Sequence, residues 1–345
     1  MNSQWPGVRT VQVGELSFLL RSRVAAVSLA LSVVIVAVFA VGIGIGRASV
    51  GHSDVWDLLQ GAGNSRAELV IVQWRLPRLL LSILVGWCLG VAGAIFQTIT
   101  RNPLGSPDLI GFTMGAQTGI LVSVVVGTSL VGATVAGLIG GVLAGCMIFT
   151  FAMLGGFSGM RMILAGIAIS AMLGSVNRWL IVRSDADTAY AAMQSVMGTL
   201  AAANWEVVRF TLVGMVVVTA IAMFSIRSIR NVELGNDLAF ALGANVFKAQ
   251  AWLVIVGTAL VAIATTAAGP IGFVALIAPH LARISCATSS APIVVAGAYG
   301  GVLLLASDLA SQAFLGSLPV GIVTSMVGGV YFMVLLFLET RKGRA

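Results

Sequence analysis

Few groups in this chain can do chemistry, and most of its ionisable residues stand at the ends of apolar runs. The exception is RNVELGNDLAFALGANVFK, residues 230–248, which places Glu233 and Asp237 around a Gly-Asn-Asp turn signal. Leu234, Leu238 and Leu242 recur there at intervals of four, so a helix gathers them on one face. Asn236 or Asp237 can cap that helix by accepting from backbone donors, and Gly243 can close it in the left-handed conformation. A helix this short is marginal alone and needs a partner for its apolar face. Two partners fit: the ends of the chain's own membrane helices, or a groove on a separate soluble protein. Spacing does not choose between them.

The chemistry that is missing narrows the classes further. A phosphate-cradling loop needs G-x-x-x-x-G-K-[ST], whose lysine reaches the phosphates. Lys248 and Lys342 are the two lysines and neither follows a glycine, so ATP is not bound in that way. Cys88, Cys146 and Cys286 lie inside apolar segments without paired spacing, which implies neither a disulfide framework nor a zinc site. His52 and His280 are too few for an imidazole cage, and no metal site is expected. His280, following Pro279, reads as a hydrogen-bonded structural residue. No cluster of His, Asp or Ser at helical spacing suggests catalysis inside a membrane.

The elements that must position residues 230–248 follow from composition. Hydrophobic residues make up 59% of the 345 and charged residues 9%, with a mean hydropathy of +1.05. Soluble domains carry about 25% charged residues, so this reads as an all-α polytopic membrane protein. Runs without Asp, Glu, Lys or Arg cover 24–46, 79–100, 109–160, 162–177, 210–226, 249–282, 284–307 and 309–338. A crossing helix needs about 20 apolar residues. The 109–160 run is too long for one helix and breaks near Gly127-Thr-Ser. The 249–282 run breaks at Gly269-Pro270, where proline withdraws a donor and suits a first helical turn. Trp179 to Val182 extend the short 162–177 run. The count is about ten transmembrane helices in a single domain, 1–345, with 24–46 as an uncleaved first helix. Glycines spaced by four (Gly86 and Gly90; Gly111, Gly115 and Gly119; Gly137, Gly141 and Gly145; Gly297 and Gly301) let helix backbones approach closely in lipid.

Ten crossings put both termini on one side. One face then holds twelve Arg and Lys with five acids, and the other seven with seven acids. That excess places both termini, the 1–23 segment and residues 230–248 in the cytoplasm. The net charge of +7 is therefore an orientation signal scattered over helix ends, and no nucleic-acid partner is expected. Arg75 and Arg78 flank Pro77 at the outer mouth of the second span, where that rule does not put them. One reading is a pair of snorkelling arginines that anchor a helix end. Asn177 and Gln194 are polar residues near the outer side, suited to substrate contact or to a helix–helix hydrogen bond. Arg101-Asn102-Pro103-Leu104 reads as a helix-ending turn. With Asp308 near a helix end and Asp108 in a loop, the spans lack the ionisable pathway residues of an ion-coupled carrier.

Four ordered motifs resemble the FecCD-type permeases, the membrane subunits of ABC importers for iron–siderophore complexes, haem and vitamin B12. They are RLPRLLLSILVGWCLGVAGAIFQTITRNPLGSPDLIGFTMGA at 75–116, ELGNDLAFALGANV at 233–246, GPIGFVALIAPHLAR at 269–283 and LPVGIVTSMVGG at 318–329. NRWLIVRS, the run from Asp308 to Gln312 and GGVYFMVLLFLETRK are similar to the ferric enterobactin subgroup. The chain departs from most members at Gln312, where they carry arginine, and at Gly328-Gly329-Val330, near which they carry proline.

The resemblance implies a BtuCD-like type II ABC importer permease fold in the plasma membrane, moving a ferric siderophore of catecholate or similar type. It implies a second, distinct permease subunit, two copies of an ABC ATPase that hold ATP and Mg, and an extracytoplasmic siderophore-binding protein. This chain itself would hold no cofactor and perform no catalysis. Residues 233–246 would couple to the ATPase through Glu233, Leu234, Gly235, Asp237, Leu238, Ala239, Leu242 and Gly243. Arg75 and Arg78 would dock the binding protein, and Asn177 and Gln194 would face the pathway. A vitamin B12 or haem importer of the same family is the alternative, and a self-contained carrier or channel is the alternative of another class.

Overall fold

The computed structural model describes residues 8–13, 16–46, 50–154, 157–233, 236–243, 245–316 and 318–342. Within the 1–23 segment, β1 Val8–Val13 and β2 Leu16–Arg21 pair antiparallel, Val8 opposite Arg21. Helix α1 Ser22–Gly44 crosses first, starting from what is called here the near end. At the far end come α2 His52–Leu59 and α3 Ser65–Glu68, and a π-wound stretch Leu69–Arg75 leads into α4 Leu76–Thr100. The chain returns through α5 Pro107–Ile110 and α6 Phe112–Val126, then crosses as α7 Leu130–Met153 and α8 Gly159–Arg183. After α9 Ala186–Val196 at the far end, α10 Trp205–Phe224 leads back to α11 Ile226–Glu233 and α12 Asn236–Ala241. Four helices finish the fold: α13 Val246–Ala268, α14 Val274–Cys286, α15 Ile293–Phe314 and α16 Val320–Lys342.

Among the described residues seven helices are long and apolar enough to cross a membrane, and three shorter apolar helices lie in α6, α14 and α16. With these the apolar helices number ten, the number of spans expected from the charge-free runs. The breaks have local causes. Gly127 ends α6 at φ 74°, and Ser129 starts α7 by accepting from the Gly132 N–H at 3.3 Å. Gly269 ends α13 at φ 73°.

The next helix does not begin at Gly269-Pro270 as the sequence suggests. It begins at Val274, behind Phe273, whose φ is 66°. The reason is tertiary: Asp108 Oδ2 accepts from the Phe273 N–H at 2.9 Å. A carboxylate at that end also suits the helix dipole. Neighbouring backbone ties the irregular region down, with the Thr199 N–H donating to the Ala268 carbonyl at 2.7 Å and the Gly321 N–H to the Gly198 carbonyl at 2.9 Å. Irregular backbone at membrane depth persists only where protein or a water-filled cavity satisfies it.

Helix α4 is the spine, packed against α15, α13, α14 and α10. A Cβ on Gly86 would run into the Gly300 carbonyl, and one on Gly90 into the Ala296 carbonyl. Helices α6 and α7 meet in the same way, Gly119 against the Ala136 carbonyl and Gly140 against the Gly115 carbonyl. Gly141 and Gly145 face Thr258 of α13 instead. Phe96 and Phe112 stack in the core with ring centroids 4.4 Å apart.

These contacts fix the cost of adding volume. Gly90→Val should destabilise the detergent-solubilised protein by about 1–3 kcal/mol, because backbone and not a movable side chain opposes it. Gly329→Ala, with no atom within 4 Å of the added carbon, should be neutral or slightly stabilising. Thermal unfolding of the two variants checks the contrast.

Candidate functional site

The near end carries a compact polar–apolar element, α11 with α12. Helix α11 buries Ile229 and Val232 against the body, and α12 buries Ala239 completely. Leu238 and Leu242 point the other way, 52% and 66% exposed, and Phe247 beyond them is 51% exposed. Gly243 closes the turn at φ 74°, as its position after the apolar row suggests. Helix α12 begins at Asn236. Leu234, Gly235 and the side chain of Asp237 lie outside the described residues.

Among the described residues, hydrogen bonds from three sides hold this element to the bundle. The Trp252 indole N–H on α13 donates to Ser225 Oγ at 2.8 Å, just before α11. The Arg101 Nε–H, at the end of α4, donates to the Val232 carbonyl at 3.2 Å. Ser290, before α15, hydrogen bonds with the Glu233 carboxylate. Burial pushes the Glu233 carboxyl above its ordinary range, while Ser290 and the Arg230 guanidinium act in the opposite direction. The body below is stiffened too: the Arg283 Nη1–H donates to Gln97 Oε1 at 2.6 Å, and Gln97 Nε2–H to the Leu276 carbonyl at 3.1 Å.

At the far end the two arginines turn inward. Arg75 is 7% exposed and donates from Nη1 to the Ile43 carbonyl at 2.8 Å. Arg78 grips Asp308 bidentately, Nε to Oδ2 at 2.9 Å and Nη2 to Oδ1 at 2.7 Å. Asp308 is fully buried, and Gln312 Nε2–H donates to its Oδ2 at 2.8 Å. This arrangement favours helix anchoring, and only Arg78, with a fifth of its side chain exposed, keeps a surface to offer. The sequence reading missed the pair, although an acid and an arginine inside apolar runs is a signal that they meet. Gln312, one turn along α15 from Asp308, adds an amide donor to this carboxylate.

Asn177, expected near the pathway, is 5% exposed and sits on the inward stripe of α8 with neither amide atom hydrogen-bonded. The side chain of Gln194, on α9, lies outside the described residues. His280 meets Tyr331 edge-on, 5.9 Å between ring centroids. Arg101 ends α4 in the left-handed conformation, the turn expected of that tetrapeptide.

Ten crossings packed on glycine, with charge gathered mainly at the two ends, make this a multi-pass membrane transport protein. The chain belongs to the FecCD transport family, whose model matches residues 33–338. It is 38% identical over 300 residues to the ferric enterobactin transport system permease protein FepG of Escherichia coli K12, covering 86% of this chain and 91% of that one. It is 32% identical over 301 residues to YfhA of Bacillus subtilis 168, named a siderophore transport system permease, covering 83% and 88%. A solved chain of an ABC transporter assigned to the metal-chelate type, in an inward-facing conformation, superposes with a TM-score of 0.78 at 26% identity, covering 91% of this chain and 99% of that one.

The buried pair has a measurable signature. Asp308→Ala leaves a guanidinium facing an apolar wall and should cost roughly 3–5 kcal/mol, whereas Arg78→Met with Asp308→Leu should recover most of that loss. Thermal unfolding in detergent measures both, and a single-variant loss no larger than the double would refute the pairing energy.

Proposed function

We propose that this chain is the membrane permease subunit of an ABC importer that carries a ferric siderophore of catecholate type across the plasma membrane. The observation that carries the reading is the divided face of α12, Ala239 buried while Leu238 and Leu242 stand exposed. A soluble partner that covers those leucines removes them from water, and an ATPase is the partner that the family implies. The excess of Arg and Lys at the near end supports a cytoplasmic position for the ridge and both termini. Similarity to permeases named for enterobactin and siderophores supports the cargo.

In this mechanism the chain hydrolyses nothing. Two ATPase copies close on ATP and press on α11 and α12 of this chain and of a second, homologous permease subunit. Closure shifts the bundle only as far as its two states fit the ATPase differently. The bound siderophore already satisfies its iron, so the pathway supplies no metal ligands. A binding protein delivers the cargo at the far end, where the exposed part of Arg78 offers a cationic contact for its carboxylates. Arg75, Arg78 and Asn177 serve first to set the shape of that end.

Leu238→Asp should keep the protein in the membrane yet lower copurifying ATPase at least about ten-fold, because a carboxylate replaces an apolar contact in the covered groove. Normal ATPase recovery would overturn the coupling role of α12. For the cargo, iron uptake is measured in a strain lacking this gene and complemented with it. Radiolabelled iron presented as a catecholate siderophore should enter, and uptake confined to haem, vitamin B12 or a hydroxamate would replace the substrate.

A further inference from the structure

Helix α4 ends on an arginine where a glycine would fit the backbone better. Arg101 stands at φ 50° and ψ 36°, the left-handed region, with the Asn102 N–H closing back onto the Gln97 carbonyl at 3.3 Å. Glycine is the usual residue at such a terminus because a side chain there is strained. A strained conformation retained at one position is a reason to ask what its side chain does.

That side chain reaches across 131 residues of sequence. Its Nε–H donates to the Val232 carbonyl at 3.2 Å, and Val232 is itself fully buried. Val232 is the penultimate residue of α11, so its carbonyl is one of the last four, which have no partner within the helix. A cation there also meets the negative end of the α11 dipole. One end of the contact is the C-terminus of the helix that precedes the leucine ridge. The other is the end of the spine that packs on α15, α13, α14 and α10.

We propose that Arg101 is the positioning residue through which displacement of the α11–α12 ridge reaches α4. The contact is directional and charge-assisted, so a shift of the α11 carbonyl end pulls the α4 terminus with it. The Trp252–Ser225 bond ties α13 to the start of α11, and the Ser290–Glu233 bond ties the end of α11 to the segment before α15, whereas the Arg101 bond reaches α4 itself. The inference rests on the coupling role proposed for the ridge.

Arg101→Gly separates transmission from structure, because glycine relaxes the backbone while removing the donor. The assembled importer, with ATPase and second permease, is reconstituted in vesicles with its binding protein and ferric enterobactin as probe. Thermal stability and ATPase stoichiometry should match or exceed those of the unmodified assembly. ATP hydrolysed per iron imported should rise about ten-fold or more, the scale set by losing a charged hydrogen bond, and Arg101→Lys should restore part of the coupling. Unchanged coupling in Arg101→Gly would overturn the proposal and leave the ridge intact as the docking element. Loss of bound ATPase from Arg101→Gly would also overturn it, making Arg101 a contact for the motor. Retention of ATPase by Leu238→Asp would remove the coupling role itself, and the Arg101 link would fall with it.

Discussion

Lipid offers a helix no gain from hiding one apolar face against another, so this bundle depends on how near two backbones can come. Gly86 and Gly90 lie directly against the carbonyls of Gly300 and Ala296, and that contact makes α4 and α15 one unit. Dispersion between atoms so close replaces the hydrophobic drive that a soluble core would use. Everything else is hung on the unit: α13 and α14 on its flanks, Arg283 and Gln97 as a polar pin, and Arg78 with Asp308 as a clamp at the far end.

The buried charges follow from the same economy of space. A lone ion among apolar helices is costly, so Asp308 is gripped by Arg78 and Gln312, and Asp108 accepts from the start of α14. These groups are spent on architecture. On the proposed reading the driving force comes from outside this chain, enters where leucines are exposed and leaves through the spine.

The connection between α13 and α14 is handled differently from the helices. Between α13 and α14 the chain leaves the helix for several residues, and backbone meets it from Gly198, between α9 and α10, and from Gly321, in the first turn of α16. The three segments satisfy some of one another's backbone groups, Thr199 N–H to the Ala268 carbonyl and Gly321 N–H to the Gly198 carbonyl.

Much of this was legible from residues alone because a crossing helix needs a fixed length of apolar sequence and glycine stripes declare close contacts. The ten crossings, the breaks at Gly127 and Gly269, the short helix starting at Asn236 and its closure at Gly243 all follow from local rules. The inward turn of Arg75 and Arg78, the delayed start of α14, the burial of Asn177 and the reach of Arg101 to Val232 were decided by tertiary structure. Each joins positions far apart in the chain, through a hydrogen bond or through packing, and no periodicity within one segment encodes which distant partner it will meet.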